Sequence, residues 1–362
     1  MPKEIILDWI LDSETCFLLG AGTSRCAGKP MMADLTSMVT TSVSVDTSAV
    51  LSNLKGGDGR EATVEDFINY LLRMKEIVSA TKVPNANSWT VDYIEKEIGA
   101  IQHAIAVAVG KTWEPSPIHS RFFQRLLGQK KRSVFDVFTL NYDTVLEATL
   151  ESLRLRYVDG FWGSENALFN ANIFDEVLTG PAIRLHKLHG SINWERDETG
   201  AVRRRTVISE DGSARLVIYP TEQKYVQTQY GVYETLMTRF RDRLRENRPN
   251  NKLVVLGYSF ADDHVNLAIE DSLLSQRNLT VYAFLGVEKN VSKQRQRLQE
   301  IADRCNARFN AWIGQTCFIG EGLENEEWES TKGEDLWKFE NLVNFITGVS
   351  NEPTVLTNSQ GS

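Results

Sequence analysis

Cysteine is scarce in this 362-residue chain: only Cys16, Cys26, Cys305 and Cys317, with no CxxC pair among them. That spacing argues against a zinc ribbon or a thioredoxin-type redox motif, and leaves reduced, mostly buried thiols as the expectation. Long apolar runs are missing as well, since no stretch nears the roughly 18 residues that a membrane helix requires. The opening Met1-Pro2-Lys3-Glu4 lacks the basic and apolar regions of a secretion signal, so a cytoplasmic protein without a membrane partner is expected. There is no surplus of positive charge: 40 Lys and Arg stand against 48 Asp and Glu, a formal charge of −8. Such a balance argues against a broad polyanion-binding surface and against sequence-specific nucleic-acid binding. No internal repeat of roughly 20 to 50 residues is visible, which speaks against a solenoid or propeller.

What is present is an ordinary globular composition, 42% hydrophobic and 24% charged, in a length that suits one elaborated α/β domain. Residues 2–12 carry apolar groups at helical spacing, and 15–19 form a short apolar run that stops at Gly20. Helical periodicity then dominates 31–43, 64–80, 89–109 and 118–127. A β-branched and aromatic stretch at 134–139 breaks at Asn141-Tyr142-Asp143, where a helix to 150 begins with Asn141 or Asp143 as its cap. Further strands are expected at 183–188, 202–209, 216–219, 253–256 and 279–285, with helices near 227–246, 262–275 and 290–303. Strands alternating with helices predict a Rossmann-like, doubly wound parallel sheet. We read one domain over 1–345, with the Rossmann-like core in 1–30 and 131–310, a helical insertion at 31–130, an acidic segment at 320–345 and a flexible tail at 346–362.

Four stretches carry residues suited to chemistry. Gly20-Ala21-Gly22-Thr23-Ser24 follows a strand, where glycines let backbone approach a pyrophosphate and a helix N-terminus supplies positive potential. Arg25 stands where a dinucleotide fingerprint wants its third glycine, so a plain tight turn is the competing reading. Thr139-Leu140-Asn141-Tyr142-Asp143 ends the next strand, at the edge where open α/β sheets bind ligands; helix capping is its structural alternative. His186-Lys187-Leu188-His189-Gly190-Ser191 puts two histidines and a glycine inside an apparent strand. Gly190 suggests close approach by a ligand, and a histidine of ordinary pKa can serve as a general base, although His186 reads as structural. In Gly257-Tyr258-Ser259-Phe260-Ala261-Asp262-Asp263-His264, Ser259 and Asp262 suit a helix cap, and no second cluster completes a metal site.

In order, Gly-Ala-Gly-x-Ser, Thr-x-Asn-Tyr-Asp, Lys-Leu-His-Gly-Ser and Gly-Tyr-Ser-Phe-x-Asp-x-His-x-Asn resemble the sirtuin-like NADase branch of the sirtuin superfamily, found in bacterial antiphage defence. The resemblance spans residues 16–285, and Pro115-Ser116-Pro117-Ile118-His119 resembles a family helix start. It implies that Gly20, Ala21, Gly22, Thr23 and Ser24 hold NAD phosphates and ribose, and that Asn141 and Asp143 face the nicotinamide ribose and carboxamide. His189 becomes the general base with Gly190 and Ser191 beside it, and Gly257 and Ser259 a contact on the adenosine side. It further implies NAD as substrate and no metal, a homo-oligomer, and a HerA-type hexameric ATPase as partner. Protein-deacylating relatives carry a four-cysteine zinc ribbon and Thr-Gln-Asn-Ile-Asp; here the ribbon is absent and Tyr142 replaces the isoleucine, which disfavours an acyl-lysine groove. NAD hydrolysis, with nicotinamide as a good leaving group and no paired carboxylates required, is the leading expectation. Competing readings are a deacylase or ADP-ribosyltransferase, an NAD or ADP-ribose sensor or scaffold without turnover, and a nuclease subunit suggested only by acidic residues and Arg203-Arg204-Arg205. That basic run reads as the solvated face of a hairpin.

Overall fold

The computed structural model describes residues 2–56, 61–85, 87–110, 114–128, 134–205, 216–218, 231–287, 291–305, 308–314, 317–319 and 335–349. In chain order, helix α1 (Pro2–Leu11) leads to strand β1 (Thr15–Leu19), the single turn α2 (Ala21–Ser24) and a 3₁₀ turn over Arg25–Ala27. Helices α3 (Met32–Thr40), α4 (Val45–Ser52), α5 (Val64–Thr81), α6 (Val91–Val109) and α7 (Pro117–Leu127) follow. Next come β2 (Val134–Thr139), α8 (Val145–Ser152), β3 (Arg156–Val158), β4 (Phe161–Trp162), β5 (Asn166–Phe169), β6 (Ala182–Lys187), β7 (Gly190–Arg196), β8 (Val202–Arg205) and β9 (Leu216–Ile218). The chain continues through α9 (Val232–Arg245), β10 (Asn251–Leu256), α10 (Asp263–Ser275), β11 (Leu279–Leu285), α11 (Val291–Arg304), β12 (Phe309–Ile313), β13 (Cys317–Ile319) and α12 (Phe339–Thr347).

Among the described residues the larger sheet runs β13-β12-β11-β10-β1-β2-β6-β3, parallel throughout except for β13. Its strands are buried on both faces, which is why they read as apolar runs rather than alternating ones. On β1, Cys16 and Leu18 face α9, α10 and α11, while Phe17 and Leu19 face α1, α7, α8 and α12. The structure is therefore the doubly wound α/β fold with a helical insertion. The pair β10 and β2 flanks β1, so the chain departs in opposite directions from the sheet's middle, and the crevice above β1 is the topological switch point.

Helices α3 to α6 bury their own core: Val64, Phe67, Ile68 and Leu71 of α5 meet Ile94, Ile98, Ile101 and Ile105 of α6, each set at helical spacing. Tyr142 and Ile192 belong to this cluster, so the insertion is joined to the sheet at the loop after β2. The insertion read as 31–130 is shorter in this respect, because Phe122, Phe123 and Leu126 of α7 pack on the sheet with Phe17 and Phe135.

A second, antiparallel sheet, β4-β5-β8-β7-β9, was not foreseen. The stretch around His189, read as one strand, is two strands in different sheets. β6 ends at Lys187, Gly190 turns the chain at φ +82, and β7 starts the smaller sheet. Gly190 thus serves the turn, not the approach of a ligand. Arg203, Arg204 and Arg205 lie on β8 and pair with Asp197, Asp159 and Glu195, so that run is neutralised within the protein. Near the C-terminus, α12 lies where the end of the acidic segment and the start of the tail were expected; Phe339, Leu342, Val343 and Ile346 form one apolar stripe against α7. Residues 206–209, 219, 227–230, 320–334 and 350–362 of the expected elements lie outside the described residues. Cys16 and Cys305 are buried and Cys26 half-buried; burial pushes the Cys26 thiol up to about 11.

Candidate active site

Every one of the four motifs ends a strand of the parallel sheet at its C-terminal edge: β1, β2, β6 and β10. Their loops surround a cavity of about 140 Å³. Gly20, Ala21, Ser24, Asn141, Asp143, His189, Gly257 and Ser259 line it; Gly22, Thr23, Gly190 and Ser191 do not.

The glycines act differently from their expected role. The Gly20 amide donates to the Leu256 carbonyl and the Gly22 amide to the Gly257 carbonyl, both at 2.9 Å. A Cβ on Gly20 would lie 2.5 Å from the Gly257 oxygen, one on Gly22 2.8 Å from the Gly257 Cα, and one on Gly257 2.5 Å from the Thr23 nitrogen. The close backbone approach that these glycines permit is therefore between the loops after β1 and β10, and the Gly20 and Gly22 amides are already spent. Nor does a long helix follow: α2 is one turn, continued by the 3₁₀ turn, so little macrodipole builds up.

Asn141 is oriented by hydroxyl groups. The Thr23 hydroxyl donates to the Gly20 carbonyl at 2.8 Å, so it can only accept from the Asn141 Nδ2, 3.3 Å away; the same Nδ2 donates to Ser24 Oγ at 2.9 Å. This fixes the amide and leaves Oδ1 as a buried acceptor without a hydrogen-bond partner in a residue that lines the cavity. A ligand hydroxyl, an amide or a water would satisfy it. Thr23 thus supports the site from behind. Ser191 does likewise, its hydroxyl donating to the Tyr142 carbonyl at 3.2 Å. Asp143 Oδ1 accepts the Val145 amide at 3.0 Å, and its carbonyl accepts Lys187 Nζ, which also pairs with Glu147 at 2.8 Å. Both charges of that pair are buried, and burial raises the Glu147 pKa despite Lys187. Ser259 is exposed at the mouth.

His189 lies between two carboxylates. Its Nε2 is 2.9 Å from Asp262 Oδ2, and its Nδ1 is 3.2 Å from Glu65 Oε1. Burial pulls the imidazole pKa down, but Glu65 and Asp262 outweigh it and hold it up at about 9. The two carboxylates thus favour the imidazolium form at neutral pH. His189 was expected to have an ordinary pKa; its two carboxylate neighbours raise it. His186, by contrast, is stacked between Phe138 and Phe174, with ring centroids 4.5 and 4.2 Å away, and burial depresses its pKa. It is a core residue.

Sequence reasoning missed Glu65 altogether. It sits in the first turn of α5 and accepts a 2.7 Å hydrogen bond from the Tyr142 hydroxyl, whose pKa burial and Glu65 raise well above the usual value. Nothing in the sequence ties a glutamate of the insertion to a histidine so far downstream; only the packing of α5 on α6 and Tyr142 brings them together. Asp262, read as a helix cap, has both roles: Oδ1 accepts the His264 and Val265 amides while Oδ2 holds His189. Lys29, Met31, Met32, Leu35 and Val109 add a largely apolar wall, with Lys29 Nζ donating to the Val109 carbonyl at 2.7 Å. Among the described residues no group of His, Cys, Asp and Glu has the arrangement to hold a metal ion.

Residues 136–306 match the family model of the SIR2-like domain. That span holds the β2, β6 and β10 portions of the site, while β1 and Glu65 lie before it. Among solved structures, the chain is similar to a Sir2 homologue bound to ADP-ribose, a histidine-to-asparagine variant, at 14% identity and TM-score 0.36, covering 84% of this chain and 96% of that one. It is also similar to a Sir2 homologue bound to NAD, at 14% identity and TM-score 0.37, covering 96% of this chain and 95% of that one. No curated protein matches.

Proposed function

We propose that this chain cleaves the nicotinamide N-glycosidic bond of NAD⁺, with water as acceptor, to give nicotinamide and ADP-ribose. The observation that carries the reading is the buried, unpartnered Asn141 Oδ1 in a residue lining the same cavity as His189 at the switch point of the sheet, largely within a SIR2-like segment. Nicotinamide leaves with the electron pair of the C1′–N bond, which neutralises its pyridinium charge, so no strong general acid is needed. The ribosyl centre left behind is electron-poor, and water adds to it and loses a proton. Asn141 Oδ1 is placed to accept a hydrogen bond from that water or from a ribose hydroxyl. His189 takes the proton once it has a free nitrogen. Ala21, Ser24 and Asp143 line the ribose and carboxamide side in this reading, and Gly257 and Ser259 the adenosine side.

The resemblance to the antiphage branch extends the proposal to NAD depletion during defence in the cytoplasm, by a homo-oligomer working with a HerA-type hexameric ATPase. Co-expression with such an ATPase, followed by size-exclusion chromatography, tests that part. A second reading, NAD or ADP-ribose binding without turnover, is favoured by one feature: a carboxylate stands within 3.2 Å of each ring nitrogen of His189, which favours the protonated ring over one with a lone pair to offer. Chromatography of the products of NAD⁺ incubated with wild type, Asn141→Ala and His189→Ala separates the two. Equimolar nicotinamide and ADP-ribose, lost at least a hundredfold in both variants with the fold retained, supports hydrolysis. NAD⁺ that is bound but not consumed by wild type supports the sensor.

A further inference from the structure

The two carboxylates on His189 are not equivalent. Asp262 is fixed: its other oxygen caps α10, its amide and carbonyl meet the Tyr258 hydroxyl, and its side chain is 3% exposed. With Asp262 alone, Nε2 keeps its proton and points at the carboxylate, which leaves Nδ1 as the free, basic nitrogen; this is how a carboxylate sets the tautomer of a catalytic histidine. Glu65 takes that place. It reaches in from the insertion, its side chain is 16% exposed, and both its contacts, to Nδ1 and to the Tyr142 hydroxyl, use Oε1. Nδ1 lies 3.2 Å from Glu65 Oε1 without hydrogen-bond geometry, an ion-pair contact that favours a proton on both ring nitrogens.

We propose that Glu65 is a positioning residue that occupies the Nδ1 side of His189 and must be displaced from it before His189 can accept a proton. The inference rests on the NAD-cleaving reading for its purpose, though not for its geometry. Displacement by a ribose hydroxyl or water that takes over Nδ1, or a movement of the first turn of α5, would leave the Asp262–His189 pair competent. Among the described residues the α5 helix packs chiefly on α3 and α6, so a movement of its first turn would act on His189 through the insertion rather than through the strands that lead to Asn141 and Asp262. Tyr142 follows Glu65, since its hydroxyl needs the same oxygen. Titratable groups around the ring are Glu65 from α5, Tyr142 from the loop after β2, and Tyr258 and Asp262 from the loop after β10, with Lys29 and Asp143 on the same cavity. Both tyrosines are held neutral by burial.

The test is an NMR titration of ¹⁵N-histidine-labelled full chain without NAD, in wild type, Glu65→Gln and Glu65→Asp, beside the pH profile of NAD⁺ cleavage for each. The wild-type His189 midpoint is expected near 9. Glu65→Gln should lower it by at least one pH unit, a tenfold or greater rise in the ratio of neutral to charged ring, and move the acidic limb of the cleavage profile down by the same amount. Glu65→Asp, which keeps the charge but retracts it by one methylene, should fall in between. A His189 midpoint unchanged in Glu65→Gln overturns the proposal, and if that variant does not fold, an unchanged midpoint in Glu65→Asp does so. Because the titration needs no turnover, a chain that fails to cleave NAD⁺ but shows the shift sinks the enzymatic reading and leaves the Glu65–His189 coupling standing.

Discussion

Replacing Gly20 with alanine tests whether the glycines of the first motif serve the protein or its ligand. A Cβ at Gly20 would stand 2.5 Å from the Gly257 carbonyl oxygen and 2.7 Å from the Tyr258 Cα, both backbone atoms, so one of two strand-end loops has to move. Overpacking of this kind costs about 1 to 3 kcal/mol. Parting the loops also weakens the bonds from Gly20 to Leu256 and from Gly22 to Gly257, each contributing about 1 kcal/mol. Alanine returns somewhat under 1 kcal/mol by restricting the unfolded chain. The net expectation is a loss of about 3 kcal/mol in the ligand-free protein. Gly257→Ala should cost more, since φ +64 adds about 1 to 2 kcal/mol to a contact of 2.5 Å with the Thr23 nitrogen. Gly28→Ala is the control: its φ is +74 but nothing lies within 4 Å of a Cβ there, so its loss should stay near 1 kcal/mol. Urea unfolding of the three variants and wild type, without nucleotide, gives these differences. If Gly20→Ala is as stable as wild type and only its NAD affinity falls, the interlocked loops are not why the glycine is there, and the phosphate-approach reading is restored.

Other expectations follow from buried charges. The rise of His189 from 6.5 to about 9 means that its contribution to stability is complete below pH 6.5 and is lost as pH climbs through 9. At about 1.4 kcal/mol per pH unit this is roughly 3 kcal/mol, read as the fall in unfolding free energy between pH 6.5 and 10 that is missing in His189→Gln. His119 behaves oppositely: burial lowers its pKa to about 4, so it costs nothing above pH 6.5 and destabilises the fold as pH drops towards 4. His119→Phe should flatten that acid limb in a thermal-melt series. Lys187→Met strands the buried Glu147 carboxylate and should cost about 3 to 5 kcal/mol, whereas Lys187→Met with Glu147→Leu should recover most of it; a single variant as stable as wild type would refute the pairing.

The parallel sheet was legible because its strands are short apolar runs, and 15–19, 134–139 and 279–285 coincide with β1, β2 and β11. That Asn141 and His189 would lie at the sheet's C-terminal edge, where they line the cavity, was legible because the ends of such strands in an open sheet are where ligands bind. The small antiparallel sheet was not, although strands were expected at 202–209 and 216–219 where β8 and β9 lie, because β4 is only two residues long and nothing local shows that β8 pairs with β5 and β7. The insertion showed its helices through the regular isoleucines of α6, but not that one of its glutamates would reach His189. That depends on how α5 and Tyr142 meet, a contact between residues 77 apart in sequence. The charge state of His189 was hidden for the same reason: local sequence shows a histidine before a glycine and neither of its carboxylates.

The central claim is that this cavity breaks the nicotinamide bond of NAD⁺. It is tested most directly by a proton NMR time course of NAD⁺ with the purified chain at pH 8, alone and with a HerA-type ATPase, run beside Asn141→Ala. Loss of the NAD⁺ pyridinium signals with equal growth of free nicotinamide and ADP-ribose, absent in Asn141→Ala, is the predicted result. NAD⁺ signals that broaden on binding yet keep their full intensity in both preparations would contradict it.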